Sequence, residues 1–431
     1  MKKQLILLAA LLPLFGGCIY DFEAELTGDD YTVVIEGDII VGGTTTVTFS
    51  RLNPEVLENI SNTGTNAELN SYYRGSGGWG LPIDFTARVE GEDGTVVEGS
   101  GLGGRCSLDT RSLNPGVRYR LCLTDVENDL HYTSSWEAVE TAPVIDSLSY
   151  RIVEDELTRQ KRMDVRVTFH SDGSTPYYCL SYDEQWEYHA WASTYYRYIP
   201  QGEEPPARGV LVFPDEGFGD RFGRIYDTMD LYPNYTCWDS TMAGISTVVT
   251  TGAMVSNKMV DYVFRTFDEY NRRISVKYRP IVSVRMISKE SFAYWESLEQ
   301  TSTQTGDLFS PIPSTRRGNI LNEENPKAPV IGYVGVSAVD TKDILIKNSK
   351  TQFYRQSQAI YDILSRSAVG SGDAMGVGRM QMYSEYRKGN RPWKMEYPED
   401  GSIPYYVWIP ERCLDCRTQG GTLEKPEGWP E

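Results

Sequence analysis

The sequence is poor in histidine, in positive charge and in long apolar runs, and each shortage removes a class of function. Its three histidines, His131, His170 and His189, are widely separated. A structural zinc site draws on Cys or His pairs at short spacing, so no metal and no cofactor is expected. Leu5 to Phe15 falls well short of the roughly 20 apolar residues that a spanning helix needs. Lys and Arg number 42 against 60 Asp and Glu, a formal charge of −18. Such a surface repels polyanions, which argues against nucleic acid as a partner. Gly-x-Ser-x-Gly, His-Glu-x-x-His and the Gly-x-x-x-x-Gly-Lys phosphate loop are all missing. The expectation is therefore a protein that is not an enzyme.

What is present begins with Lys2, Lys3, the apolar run and then Gly16-Gly17-Cys18. This reads as a lipoprotein signal peptide over residues 1–17, cut ahead of a lipidated Cys18. Acyl chains contribute about 0.8 kcal/mol per buried CH₂, and several chains together anchor stably. Residues 18–30 form a polar tether. Asp21, Glu23 and Glu25 within it resemble the export signal of Bacteroidota surface lipoproteins. That resemblance implies an outer-membrane protein facing the cell exterior.

Six further cysteines remain: Cys106, Cys122, Cys179, Cys237, Cys413 and Cys416. Outside the cytoplasm an even number is compatible with complete pairing, in a connectivity that sequence does not define. Cys106 with Cys122, and a C-terminal structural disulfide at Cys413-Leu-Asp-Cys416, are the candidates. A redox role for the latter pair would need a helix start and a lowered thiol pKa, whereas this pair follows a strand.

Residues 31–142 carry the marks of an immunoglobulin-like β-sandwich. Tyr31 to Gly37 and Thr44 to Phe49 are rich in β-branched residues and flank a turn at Gly42-Gly43. Phe85 to Glu90 and Val117 to Leu123 alternate apolar with polar, and turns recur at short intervals. Thr141-Ala142-Pro143 reads as a linker. Residues 143–431 then form a second sandwich with insertions, the longest being an irregular stretch over 199–250. Ser288 caps a helix near 288–300, with Phe292, Trp295 and Leu298 on its inner face. A second helix is expected over 352–365, and Gly376-Val377-Gly378 reads as a loop. The fold class is thus mainly β: two immunoglobulin/fibronectin-III-like sandwiches, the second with a long insertion and one or two helices.

Trp186, Tyr188 and Trp191 belong to the most aromatic stretch of the chain, which extends to Tyr198. Such rings either fill a core or present a recognition surface. Alternation puts Trp186 and Tyr188 on one strand face and Trp191 on the other. Tyr72, Tyr73 and Trp79, in a glycine-rich loop, are a second candidate contact surface. The adjacent carboxylates Asp183-Glu184 and Glu323-Glu324 read as solvated surface, because neighbours on a strand point to opposite faces.

Phe292-Ala-Tyr-Trp-Glu-Ser-Leu298, Leu308-Phe309, Pro313, Gly318-Asn319-Ile320, Gly332-Tyr333 and Cys413-Leu-Asp-Cys416 are joined by the early Val33-Val34-Ile35-Glu36-Gly37 and Ile145-Asp146-Ser147. In order and spacing these resemble the Bacteroidota lipoproteins grouped as domain of unknown function 4249. The resemblance implies partnership with a TonB-dependent outer-membrane barrel. The function expected is an accessory or cargo-capturing lipoprotein, with a structural or adhesive envelope module and an undetected hydrolase as alternatives.

Overall fold

The computed structural model describes residues 32–52, 81–212, 223–254, 256–303, 318–328, 330–367, 369–371, 377–397, 399 and 405–430. The protein is mainly β and is built on two sandwiches, the second carrying a helix-bearing insertion.

In the first sandwich, one sheet runs Val330–Ile331, Thr32–Glu36, Thr44–Leu52, Leu81–Pro82, with Arg105–Asp109 also paired to Thr44–Leu52. The facing sheet runs Ile320–Asn322, Leu130–Ser134, Tyr119–Asp125, Phe85–Gly91, Val96–Gly101. Strict alternation sends Phe85, Ala87 and Val89, and likewise Tyr119, Leu121 and Leu123, into the core. There Phe49 meets Phe85 and Tyr132 edge-on, with ring centroids 5.4 and 5.2 Å apart, the arrangement aromatic quadrupoles favour. Tyr119 donates its hydroxyl to the Asn114 carbonyl at 3.0 Å and accepts from the Asn114 amide at 2.8 Å. This is the tyrosine corner of immunoglobulin-type sandwiches.

The second sandwich sets Val144–Glu154, Lys161–His170 and Lys258–Asp268 against a larger sheet. That sheet runs Thr236–Thr250, Tyr177–His189, Lys277–Met286, Val336–Asp343, Ile39–Val41. Two of the sequence expectations need correction here. Residues 199–250 end in the longest strand of the structure, Thr236–Thr250, because the Gly, Pro and Asp residues are concentrated before it. Thr141-Ala142-Pro143 is tied at both ends: Glu140 pairs with Ser337, and the Ile145 amide donates to Asp340 at 2.7 Å.

A boundary between 142 and 143 is also crossed in both directions. Residues 320–331 return to complete the first sandwich, while Ile39–Val41 extends a sheet of the second. Thr32–Glu36 runs parallel to Val330–Ile331, and Ile39–Val41 runs parallel to Val336–Asp343. Two chain segments thus pass side by side from one sandwich into the other. Linker composition is a local signal, and parallel pairing of distant segments leaves no local trace.

The helix Lys289–Thr303 forms where expected, and Ser288 Oγ accepts from the Ser291 amide at 3.2 Å. After the short helix Asn348–Thr351 come Gln358–Ser367, displaced toward the C-terminus from the expected span, and Val377–Arg387, which starts inside the glycine pair expected as a loop. Val377–Arg387 packs with two small sheets, Tyr196–Ile199, Arg224–Asp227, Val210–Leu211 and Val369–Ser371, Tyr405–Pro410, Asn390–Glu396, around Tyr198, Met382, Tyr406 and Trp408, while Gln358–Ser367 sets Leu364 against Ile409 and Cys413.

The cysteines pair differently from expectation. Cys237 and Cys416 form a disulfide with Cα atoms 5.7 Å apart, across 179 residues of sequence. Cys106, Cys122 and Cys413 are free thiols. Cys106 points into the first core, whereas Cys122 alternates with Leu121 and Leu123 and lies on the outer face of the opposite sheet. Cys413 is buried against Ala192, Leu364 and Ile409, away from the strand that carries Cys237.

Backbone closeness at the crossing rests on glycine. Gly332 has φ +144°, and a Cβ there would lie 2.0 Å from the Ile35 carbonyl oxygen. Gly42 has φ +82° but open space around it. Gly332→Ala is expected to cost roughly 2–6 kcal/mol from strain and overlap together. Gly42→Ala should cost only about 1 kcal/mol. Urea unfolding of both variants checks this, and equal losses would contradict the close approach.

Candidate functional site

Cys18, Tyr72, Tyr73 and Trp79 lie outside the described residues. Trp186 and Tyr188 are core residues, 3% and 0% exposed, and so are not a contact surface. Trp191 is half-buried and packs against the cluster of Ala192, Leu364 and Ile409. The aromatic stretch is rich because its rings are layered with arginine. Arg273 lies 4.5 Å from the Trp186 ring centroid and Arg272 4.3 Å from that of Tyr188.

Between these layers sits Glu184, fully buried. Its carboxylate is 3.1 Å from the Arg265 guanidinium, pairs with Arg273, and accepts from the Tyr278 hydroxyl at 2.6 Å. Burial, then the charge of Glu184, pushes the Tyr278 phenol well above its ordinary value. The sequence reading placed Glu184 on a solvated surface. Alternation gives that place to Asp183, while Glu184 turns inward to meet two arginines from other elements.

The residues that face solvent together lie on the outer face of the sheet holding Phe85–Gly91 and Tyr119–Asp125. There a polar concavity of about 510 Å³ is lined by Arg88, Glu98, Cys122, Thr124, His131 and Glu323 among others. Strand register orders them in rows. Glu98, Arg88, Cys122 and Thr133 stand opposite one another across four strands, and Ser100, Thr86, Thr124 and His131 form the next row. Neighbours within a row are about 4.8 Å apart and the rows about 7 Å apart.

Charge in the concavity is held by pairing. Glu90 bridges Arg88 and Arg120, each at 2.7 Å. Burial works against its charge, but Arg120 and Arg88 outweigh that and hold the carboxyl below its ordinary range. The Arg120 guanidinium also lies 4.6 Å from the Trp136 ring centroid. Burial, reinforced by the Glu90 charge, pushes the Cys122 thiol up, so it rests as a neutral thiol. Glu324 takes His131 at two atoms, the Nδ1 at 2.6 Å and the backbone amide at 2.9 Å. Glu323 accepts from Thr133. The arrangement offers a fixed grid of donors and acceptors with no activated nucleophile. The alternation of Arg120, Cys122 and Thr124 with Tyr119, Leu121 and Leu123 was the sequence signal for it.

Two measurements follow from this geometry. Removing one member of a buried ion pair costs roughly 3–5 kcal/mol, so Glu184→Gln should lower the urea midpoint strongly and Asp183→Asn hardly at all. Equal effects would contradict the inward position of Glu184. The hydrogen bond to Glu324 raises His131 above 6.5, and the contacts from His131 lower Glu324 below 4.5. The histidine contribution is complete below 6.5 and is lost as pH rises through the raised value. The carboxylate contribution is complete above 4.5 and is lost as pH falls through the lowered value. Between those limits the pair clamps Glu324 to the strand Leu130–Ser134. An NMR titration should place the His131 midpoint above 6.5, returning toward 6.5 in Glu324→Gln, with half-buried His189 below 6.5. A His131 midpoint below 6.5 would contradict the contact.

No curated protein matches the chain. Among solved structures, a two fibronectin type-III domain segment from chicken tenascin is similar at 10% identity and a TM-score of 0.16. The match covers 59% of this chain and 91% of that one. A family model described as a domain of unknown function (DUF4249) matches residues 19–343. The chain belongs to that family.

Proposed function

We propose that this chain is an outer-membrane lipoprotein, exposed at the cell surface, that serves without catalysis as an accessory or cargo-capturing partner of a TonB-dependent barrel. The observation that carries the reading is the run from Lys2 to Gly17 ending at Cys18, on a chain whose matched region begins directly after it, at residue 19. Resemblance to Bacteroidota lipoproteins of this family supports the barrel as partner. The polar concavity supports capture. The buried carboxylates Asp38, Asp125 and Glu184 are each engaged by an arginine, which supports a structural rather than a catalytic role for them.

Tethering supplies the mechanism. Residues 18–31 reach at most about 50 Å even fully extended, and the first sandwich starts at once, at Thr32. A weak contact beside an anchored partner then acts at a raised effective concentration. An adhesive or structural role is the second reading. It is favoured by the sheet-edge strand Val144–Glu154, which exposes Val144, Tyr150 and Ile152. An open edge can accept a strand from another protein.

Affinity purification of the lipidated protein from native outer membranes in mild detergent tests the choice. A near-stoichiometric TonB-dependent barrel is the expected companion. Recovery of the lipoprotein alone, in detergent that keeps other barrel complexes intact, would overturn the transport reading. Recovery with a different envelope protein would favour adhesion.

A further inference from the structure

We propose that the concavity on the outer face of the first sandwich binds a neutral polyhydroxylated ligand, a short oligosaccharide lying across the strands. The inference rests on the reading of the chain as a capturing, non-catalytic protein, and it names the chemistry captured.

The facing groups decide the ligand class. The floor is polar: Ser100, Thr86 and Thr124 form a continuous row of hydroxyls ending at the His131 imidazole. An apolar ligand would dehydrate these groups without replacing their hydrogen bonds, at a cost of roughly 1–3 kcal/mol each. The cations Arg88, Arg120 and His131 face the carboxylates Glu90, Glu98, Glu323 and Glu324. Acids are in excess, and every cation is already paired, so an anionic ligand meets net repulsion. A metal ion is not favoured either, since among the described residues no group of three or more His, Cys, Asp or Glu converges to hold one.

A sugar fits what remains. Each ring hydroxyl both donates and accepts, which matches a grid alternating hydroxyl, guanidinium and carboxylate. Arg88 and Arg120 are oriented in advance by Glu90, so their outward N–H groups lose little freedom on binding. Glu98 adds an acceptor at the end of the row, with no ion-pair partner among the described residues. The volume of about 510 Å³ lies within the roughly 300–1,000 Å³ typical of small-ligand sites. Successive strands, about 4.8 Å apart, would address successive parts of a chain of rings.

Cys122 supplies an internal reporter. It is the half-buried thiol at the middle of the floor, while Cys106, Cys179 and Cys413 are buried. A ligand seated across the rows would cover it.

The test is titration of the mature chain by calorimetry. Its panel holds neutral oligosaccharides, uronic-acid oligosaccharides, inorganic phosphate and an acidic peptide, with alkylation of Cys122 followed by mass in parallel. A neutral oligosaccharide should bind in the micromolar to millimolar range and slow Cys122 alkylation. Arg88→Ala and Thr124→Val should each weaken binding about tenfold or more, a loss of about 1.4 kcal/mol. Both should keep the parent melting temperature, and Arg151→Ala on the other sandwich should leave binding unchanged. Binding of none of the neutral sugars overturns the inference. So does preferential binding of an anionic member, or sugar binding that both floor variants leave intact. A chain that co-purifies with a barrel yet ignores sugars loses only this inference. One that binds sugars but recovers no barrel keeps it and loses the transport reading.

Discussion

Asp38 sits where two chain segments cross from one sandwich to the other, and its carboxylate closes the crossing. It pairs with Arg285 from the strand Lys277–Met286 and accepts from the Gly335 amide at 2.7 Å. The Ile39 amide returns a bond to the Gly335 carbonyl at 2.9 Å. Both side chains are nearly enclosed, at 8% and 13% exposure. A buried pair of this kind contributes little net stability beyond an apolar equivalent, but losing one partner strands the other charge. The crossing is therefore strongly specified. Gly332 lets the two backbones approach, and the Asn319 side chain donates to and accepts from Val334 at 2.8 Å each way.

The crossing joins the two sandwiches through paired strands. The polar outer face of the first sandwich is borne on a sheet whose partner strands are continuous with the second. At the far end the C-terminal segment is strapped to the larger sheet. Gln185 donates to the Glu427 carbonyl at 3.1 Å, Arg279 donates to that of Gly428 at 2.5 Å, and the Cys237–Cys416 disulfide holds the start of the strap. The proposed capture surface, fixed to such a frame, would keep its orientation toward whatever the proposed tether places beside it.

Legibility in the sequence followed the range of the interaction. Strands such as Phe85–Gly91 and Tyr119–Asp125 were plain because a sheet with one buried face writes period two into the chain, and the helix at Lys289–Thr303 was announced by its cap. The tyrosine corner is also readable, in the spacing of Leu113, Pro115 and Tyr119. Long-range partners left no such trace. Cys416 finds Cys237 rather than its neighbour Cys413, and Glu184 finds Arg265 and Arg273. The residues that carried the family resemblance, Gly37, Gly318-Asn319-Ile320 and Gly332-Tyr333, gather at the crossing. They mark how the sandwiches are joined. The concavity is legible only in part: its alternation reads as strand, and the disulfide expected of Cys122 does not form.

Hydrogen exchange of the intact chain across a urea series tests most directly whether the crossing makes one cooperative body. Amides of Phe85–Gly91 report on the first sandwich and those of Lys277–Met286 on the second. In one cooperative unit both sets lose protection at the same denaturant concentration, together with Thr32–Glu36 and Val336–Asp343 at the crossing. Loss of protection in one sandwich while the other stays fully protected would mean that the two are independent, and would contradict the account.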